Sequence, residues 1–190
     1  MTEAVRSFIA VLLSENLRAS LAEEVDRLRR VAPRIGWVRP ENLHLTLKFL
    51  GHIPPTTLER VELGLAQAVA DQQRLALTFA GLGAFPSVDR PRVIWAGVTE
   101  GAERLVDLQT RVEAVLAGRD IPKEDRPFHA HLTLGRVKDP RQAMSLRSTL
   151  RARADVPFGR LDVSAIHLMR SDLHPEGARY TILRAFPLGA

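Results

Sequence analysis

His44-Leu45-Thr46-Leu47 and His131-Leu132-Thr133-Leu134 are one four-residue phrase written twice, 87 residues apart in a chain of 190. Read as β-strands, whose successive side chains point to opposite faces, each phrase turns its His and Thr to one side. The leucines go to the other side and into a core. An imidazole gives or takes a proton near neutral pH, and a hydroxyl donates to an anionic oxygen. With six histidines and ten threonines, random order gives roughly 0.3 His-x-Thr triplets. Two of them, each inside an apolar strand-like run, point to a duplicated unit.

Outward from the two phrases, the flanking segments recur in the same order. Ser7 to Leu13 reads as a buried strand, and Ser14 caps a helix striped by Leu17, Leu21, Val25, Leu28 and Val31. Pro33 and Gly36 end that helix. Trp37 to Asn42 is a turn into the first His-x-Thr strand, which Gly51 and Pro54-Pro55 stop. Thr56 and Glu59 form a capping box for a helix carrying Leu58, Val61, Leu65 and Val69 inward. Arg74 to Phe79 alternates as a strand, and the loop-like stretch from Gly81 to Pro91 is the expected hinge between lobes. After it come a strand at Arg92 to Val98 and a helix striped by Leu105, Leu108, Val112 and Val115. A turn with Pro122 and Pro127 leads into the second phrase. Asp139-Pro140 then opens another helix, with Asp as cap and Pro at the first position. Leu161 to Arg170 and Arg179 to Pro187 read as closing strands around a polar turn at Ser171 to Gly177. The fold predicted is α+β and pseudo-symmetric, with two sheets whose concave faces meet. One domain is expected over residues 1–190, with lobes at roughly 1–85 and 86–190.

Composition narrows the chemistry. Apolar residues make up 45% and charged residues 26%, ordinary for a soluble globular protein. There is no cysteine, which removes disulfides and thiolate nucleophiles and suits a cytoplasmic address. Phe8 to Leu13 is too short for a signal-peptide core, and no run approaches membrane-spanning length. Net charge is +5, and of the 27 basic residues only Lys48, Lys123 and Lys138 are lysine. Arginine forks onto phosphate bidentately, which suits an anionic substrate. A GC-rich genome explains the same excess.

Two imidazoles and two hydroxyls suit in-line displacement at phosphorus. One His takes a proton from the attacking water, the other protonates the departing oxygen, and the hydroxyls hold the phosphate. Protons and hydroxyls suffice, so neither metal nor cofactor is expected. His129 shares the predicted His131 face at a metal-ligand spacing, which leaves a metal-dependent hydrolase as a rival. No carboxylate near either phrase shares that face, Glu41 lying in the preceding turn. A second rival is a non-catalytic module that binds RNA ends. Arg136 is turned away from His131 by strict alternation unless Gly135 hosts a bulge. Lys48 shares the His44 face and adds positive potential or meets solvent. Trp37, Trp95 and Tyr180 stack a base or fill core. His52, His167 and His174 receive no role.

The run Trp37-Val38-Arg39-Pro40-Glu41-Asn42-Leu43-His44-Leu45-Thr46-Leu47-Lys48-Phe49-Leu50-Gly51 resembles the first motif of the 2H phosphoesterases. Within them it is similar to the RNA 2',3'-cyclic phosphodiesterases, also called 2'-5' RNA ligases. Phe128 and His131 to Arg136 resemble the second motif, and Pro91 to Gly97 the family's middle strand. Ala130 departs from the proline that often precedes the second His, a change of backbone shape rather than chemistry. The resemblance implies two mainly antiparallel sheets facing across a cleft, with helices outside. It also implies hydrolysis of RNA or nucleotide 2',3'-cyclic phosphate ends to 2'-phosphomonoesters. Carried over by motif, His44 is the proton donor and His131 the proton acceptor, while Thr46 and Thr133 bind phosphate. Arg136, Lys48 and Trp37 are the expected substrate contacts. Some members join a cyclic-phosphate end to a 5'-hydroxyl end, so 2'-5' ligation is the alternative activity. A cytoplasmic monomer without a membrane partner is expected.

Overall fold

A computed structural model describes residues 4–189, so the extreme ends of the expected 1–190 domain lie outside the described residues. Strand β1 (Val5–Leu12) leads through helix α1 (Glu15–Val31) and a short β2 (Gly36–Trp37) to β3 (His44–Ile53), the first His-x-Thr strand. Helix α2 (Pro55–Val69), strands β4 (Leu75–Phe85) and β5 (Val93–Glu100), and helix α3 (Ala102–Ala117) follow. Strand β6 (His131–Arg136) carries the second phrase, and α4 (Leu146–Ala152), β7 (Pro157–Val163), β8 (Ala165–His174) and β9 (Gly177–Pro187) close the chain.

The strands form two antiparallel sheets, ordered β3-β1-β8-β9 and β2-β6-β5-β4-β7. Matching β1 with β5 and β3 with β6 exposes the symmetry. Each His-x-Thr strand lies beside the strand that opens its own half. Next to that sits a strand lent by the other half, β8 in the first sheet and β4 in the second. The α+β, two-sheet architecture is thus the one expected.

The exchange of strands moves the boundary that the motif repeat suggested. A division at 85/86 falls inside the β4–β5 hairpin of a single sheet. The first five residues of the Gly81–Pro91 hinge are strand, because Gly81 adopts φ 77° at a bulge and β4 continues to Phe85, and only the stretch from Pro86 to Pro91 is loop. A Cβ at Gly81 would lie 2.2 Å from the Ala154 carbonyl oxygen, so the chain passes only as glycine. Likewise β3 runs through Gly51, at φ 72°, because the pairing with β1 bulges there. The expected Leu161–Arg170 strand is two, broken at Ser164 where the chain crosses between sheets. The polar turn is shorter than expected, since β8 reaches His174 and β9 restarts at Gly177.

The helices pack apolar stripes against the sheets. Ser14 Oγ accepts the Leu17 N–H at 3.4 Å, and Leu17, Leu21, Val25 and Leu28 enter one core with Leu45, Leu47, Leu132 and Leu134. Val31 stays exposed in the last turn of α1, outside the stripe. The Thr56–Glu59 box does not form. Pro54 is the N-cap and Pro55 the first helical residue of α2, whose fixed φ starts the helix without a side-chain cap. Asp139 does cap, accepting the Arg141 N–H at 3.0 Å, but it opens a 3-10 turn at Pro140–Ala143 before α4. Among the described residues, no helix is long and apolar enough to cross a membrane.

Candidate active site

Both His-x-Thr strands carry a bulge at the same place. Thr46 pairs with Ala10 and Lys48 with Ile9, leaving Leu47 as the extra residue. Thr133 pairs with Trp95 and Gly135 with Ile94, leaving Leu134. An extra residue reverses the alternation beyond it. His44, Thr46, His131 and Thr133 therefore line one cleft of about 860 Å³, and Arg136 is turned back into it. The bulge that Arg136 needed is present, one residue ahead of the expected Gly135. Phe49 takes the equivalent place on β3 and lines the cleft too.

The two imidazoles are held alike. Nδ1 of His44 lies 2.7 Å from the Asn42 carbonyl oxygen, and Nδ1 of His131 lies 2.7 Å from that of His129. A carbonyl only accepts, so each Nδ1 carries the proton and each neutral ring keeps its lone pair on Nε2. The backbone two residues upstream fixes the tautomer in both strands. Aromatic rings complete each seat. Phe8 lies 4.8 Å from His44 and Tyr180 stands edge-on to it at 5.2 Å, while Phe85 stands edge-on to His131 at 5.0 Å.

Burial disfavours the charged form of both rings and is the main reason their pKa values fall below the ordinary imidazole value. The carbonyl bonds oppose that fall, and the Arg136 guanidinium adds to it at both rings. At His131 the neighbouring His129 pushes in the same direction. Arg136 therefore lies near enough to act by its charge on both histidines across the cleft.

Of the other expected contacts, Lys48 lines the cleft but is already paired, and Trp37 lies outside it. Lys48 is only 5% exposed, with its ammonium 2.9 and 2.8 Å from the two Glu113 carboxylate oxygens and 2.8 Å from the Pro122 carbonyl. Its three donors are used, so it ties β3 to α3 and to the loop before β6 instead of offering free charge. Removing one partner of such a buried pair typically costs about 3–5 kcal/mol, because the other charge is stranded. Trp37 does not line the cleft. Its Nε1 donates to the Ala32 carbonyl at 2.9 Å, and its ring covers Gly135, where a Cβ would lie 2.7 Å from a ring carbon. Trp95 lies over Gly83 and against Phe85, at 5.2 Å. His129 lines the cleft, but among the described residues no three His, Asp or Glu side chains converge as a metal-binding group.

Several further residues that the motifs do not mark line the cleft. Arg6 and Phe8 line it from β1, where the near-continuous apolar run hid which face each residue takes. Phe85 was assigned to a hinge. Arg126 lines it from the loop before β6, 3.0 Å from Glu124, the one cleft-lining carboxylate among the described residues. Asn42, expected only as part of a turn, lines the cleft too, and its side chain bonds a carbonyl 136 residues away, which no local pattern signals.

Comparison with known proteins fits this geometry. Residues 17–175 match the model of the 2'-5' RNA ligase superfamily. A Methanothermobacter thermautotrophicus protein named RNA 2',3'-cyclic phosphodiesterase is 35% identical over 184 residues, covering 97% of this chain and 99% of the relative. A Thermus thermophilus protein of the same name is 38% identical, covering 97% and 90%. A crystallised Thermus thermophilus protein superposes with TM-score 0.79 at 32% identity, over 96% of this chain and 97% of that one. Escherichia coli LigT complexed with 3'-AMP gives TM-score 0.76 at 26% identity, over 99% and 100%. With two matched His-x-Thr strands facing one cleft and relatives alike along nearly their whole length, the chain belongs to the 2'-5' RNA ligase superfamily.

Proposed function

We propose that the protein hydrolyses the 2',3'-cyclic phosphate ends of RNA or nucleotides to 2'-phosphomonoesters, as a cytoplasmic monomer. The observation that carries this reading is the pair of imidazoles, each with Nδ1 engaged by a carbonyl and Nε2 left for one shared cleft. Nε2 of His131 takes a proton from water as the water oxygen attacks phosphorus. The bond from phosphorus to the 3'-oxygen breaks, and Nε2–H of His44 delivers its proton to that oxygen. The Thr46 and Thr133 hydroxyls donate to the non-bridging oxygens, whose charge grows as the bond order changes. Arg136 adds a fixed positive charge beside them.

This chemistry passes one proton from water to His131 and one from His44 to the leaving oxygen, and needs no other group to move them. Exhaustive treatment with EDTA followed by dialysis is therefore expected to leave turnover of a short RNA with a 2',3'-cyclic phosphate end intact. Loss of activity that one added divalent ion restores would refute the proton-only mechanism.

The pH profile follows from the depressed pKa values of both rings. In the free protein one ring must be neutral and the other protonated, so kcat/KM should follow a bell centred below about pH 6.5. Its limbs belong to the pair and not to either residue alone. A bound phosphate favours the charged imidazole. The alkaline limb of kcat should then lie at higher pH than that of kcat/KM. Superimposable profiles centred above about pH 7 would contradict the seating of the two rings.

A further inference from the structure

The β8–β9 hairpin does something that a flat sheet forbids. In the first sheet β9 is three strands away from β3, about 14 Å at the usual strand spacing. Yet Tyr180 of β9 stands edge-on to His44 of β3 at 5.2 Å, and packs on Phe8 of β1 at 4.9 Å. The pairing of β1 with β8 ends at Ser7 and Arg170, whereas β8 and β9 go on pairing to His174 and Gly177. Beyond β1, the two-stranded ribbon curls over the concave face of its own sheet. Leu173 and Ala178, near its tip, line the cleft as Tyr180 does.

The tip is pinned on the far side. Nδ2 of Asn42 donates to the Ala178 carbonyl at 2.7 Å, and the Arg39 guanidinium donates to the Glu176 carbonyl. Asn42 is also the residue whose own carbonyl accepts Nδ1–H of His44. One residue thus joins the ribbon to the backbone that sets the His44 tautomer. The centroids of Phe8, Tyr180 and the imidazole stand 4.8, 4.9 and 5.2 Å apart pairwise, so the two rings back the imidazole together as one wall, and Tyr180 supplies half of it. On the second sheet His131 has Phe85 beside it, and among the described residues no such ribbon packs on it. The device belongs to one histidine.

We propose, on the reading of His44 as the proton donor, that the β8–β9 ribbon is a strap and Tyr180 a positioning residue that holds the His44 ring with Nε2 aimed at the leaving oxygen. Tyr180 acts through His44 and not on the substrate, and its ring rather than its hydroxyl is what counts. Misplacement of a reacting group by about 1 Å costs up to about 10²-fold. Tyr180→Ala should accordingly lower kcat for the cyclic phosphate by about 10-fold to 100-fold with KM nearly unchanged, and Tyr180→Phe should restore it. On a His44→Ala background Tyr180→Ala should cost nothing further, since residues acting as one unit are not additive. Asn42→Ala, which removes the tie but keeps the carbonyl and the aromatic seat, should give the same pattern in weaker form. NMR of the imidazole nitrogens gives a readout independent of turnover. The native ring should show one tautomer, protonated on Nδ1, and both variants should show a mixture. An equal loss with and without His44, or a tautomer unmoved in both variants, overturns the strap. If His44→Ala leaves turnover intact while the tautomer shifts as expected, the proton-donor reading fails and the strap stands.

Discussion

Replacing His131 with Ala should lower kcat by about 10²-fold to 10⁴-fold, the range for loss of one general acid or base. The effect should appear in kcat more than in KM, because the ring's proposed task is to accept a proton from water in the transition state. The proposed phosphate clamp is untouched: Thr46, Thr133 and Arg136 remain in the cleft. Thermal unfolding should change little, since the ring is only partly buried and its bond to the His129 carbonyl is local. Steady-state kinetics of the variant on a nucleoside 2',3'-cyclic phosphate checks this. A kcat within a few-fold of the native value would show that water is activated by some other group.

Replacing His44 with Ala should cost as much on the natural substrate and much less on one substrate class. The donor matters because a ribose 3'-oxygen leaves poorly without a proton. A nitrophenolate leaves without one. Cleavage of a nitrophenyl phosphodiester should therefore tolerate His44→Ala far better than His131→Ala, and comparison of kcat/KM for the four combinations measures the split. The opposite ranking would mean that donor and acceptor are exchanged between the two strands. Equal losses would mean that His44 chiefly orients the phosphate.

The chemistry of the site was legible because it is local. A His and a Thr two residues apart on a strand share a face whatever the tertiary structure does, and two copies of the phrase implied two such strands. Leu45, Leu47, Leu132 and Leu134 are buried as alternation requires. The repeated order of strands and helices implied the two-sheet architecture for the same reason. Which strand enters which sheet was not legible, because pairing between β1 and β8 or between β4 and β7 is decided by long-range packing. Gly81 misled for a related reason: a glycine that allows a bulge inside a strand looks, in sequence, like a loop. Lys48 shows the limit of reading a charge from one strand alone. Its partners, Glu113 and Pro122, lie 65 and 74 residues away. Trp37 shows the same limit for an aromatic, since Gly135, the residue it covers, comes from the other half of the chain.

In the proposed reaction water displaces the 3'-oxygen of a cyclic phosphate, with His131 as base and His44 as acid. Separating the products of cytidine 2',3'-cyclic phosphate hydrolysis, by chromatography against both isomers or by phosphorus NMR, tests it most directly. The expected product is the 2'-phosphate alone, with a free 3'-hydroxyl, formed by the native protein in the presence of EDTA. Formation of the 3'-phosphate, or of a mixture of both isomers, would contradict it.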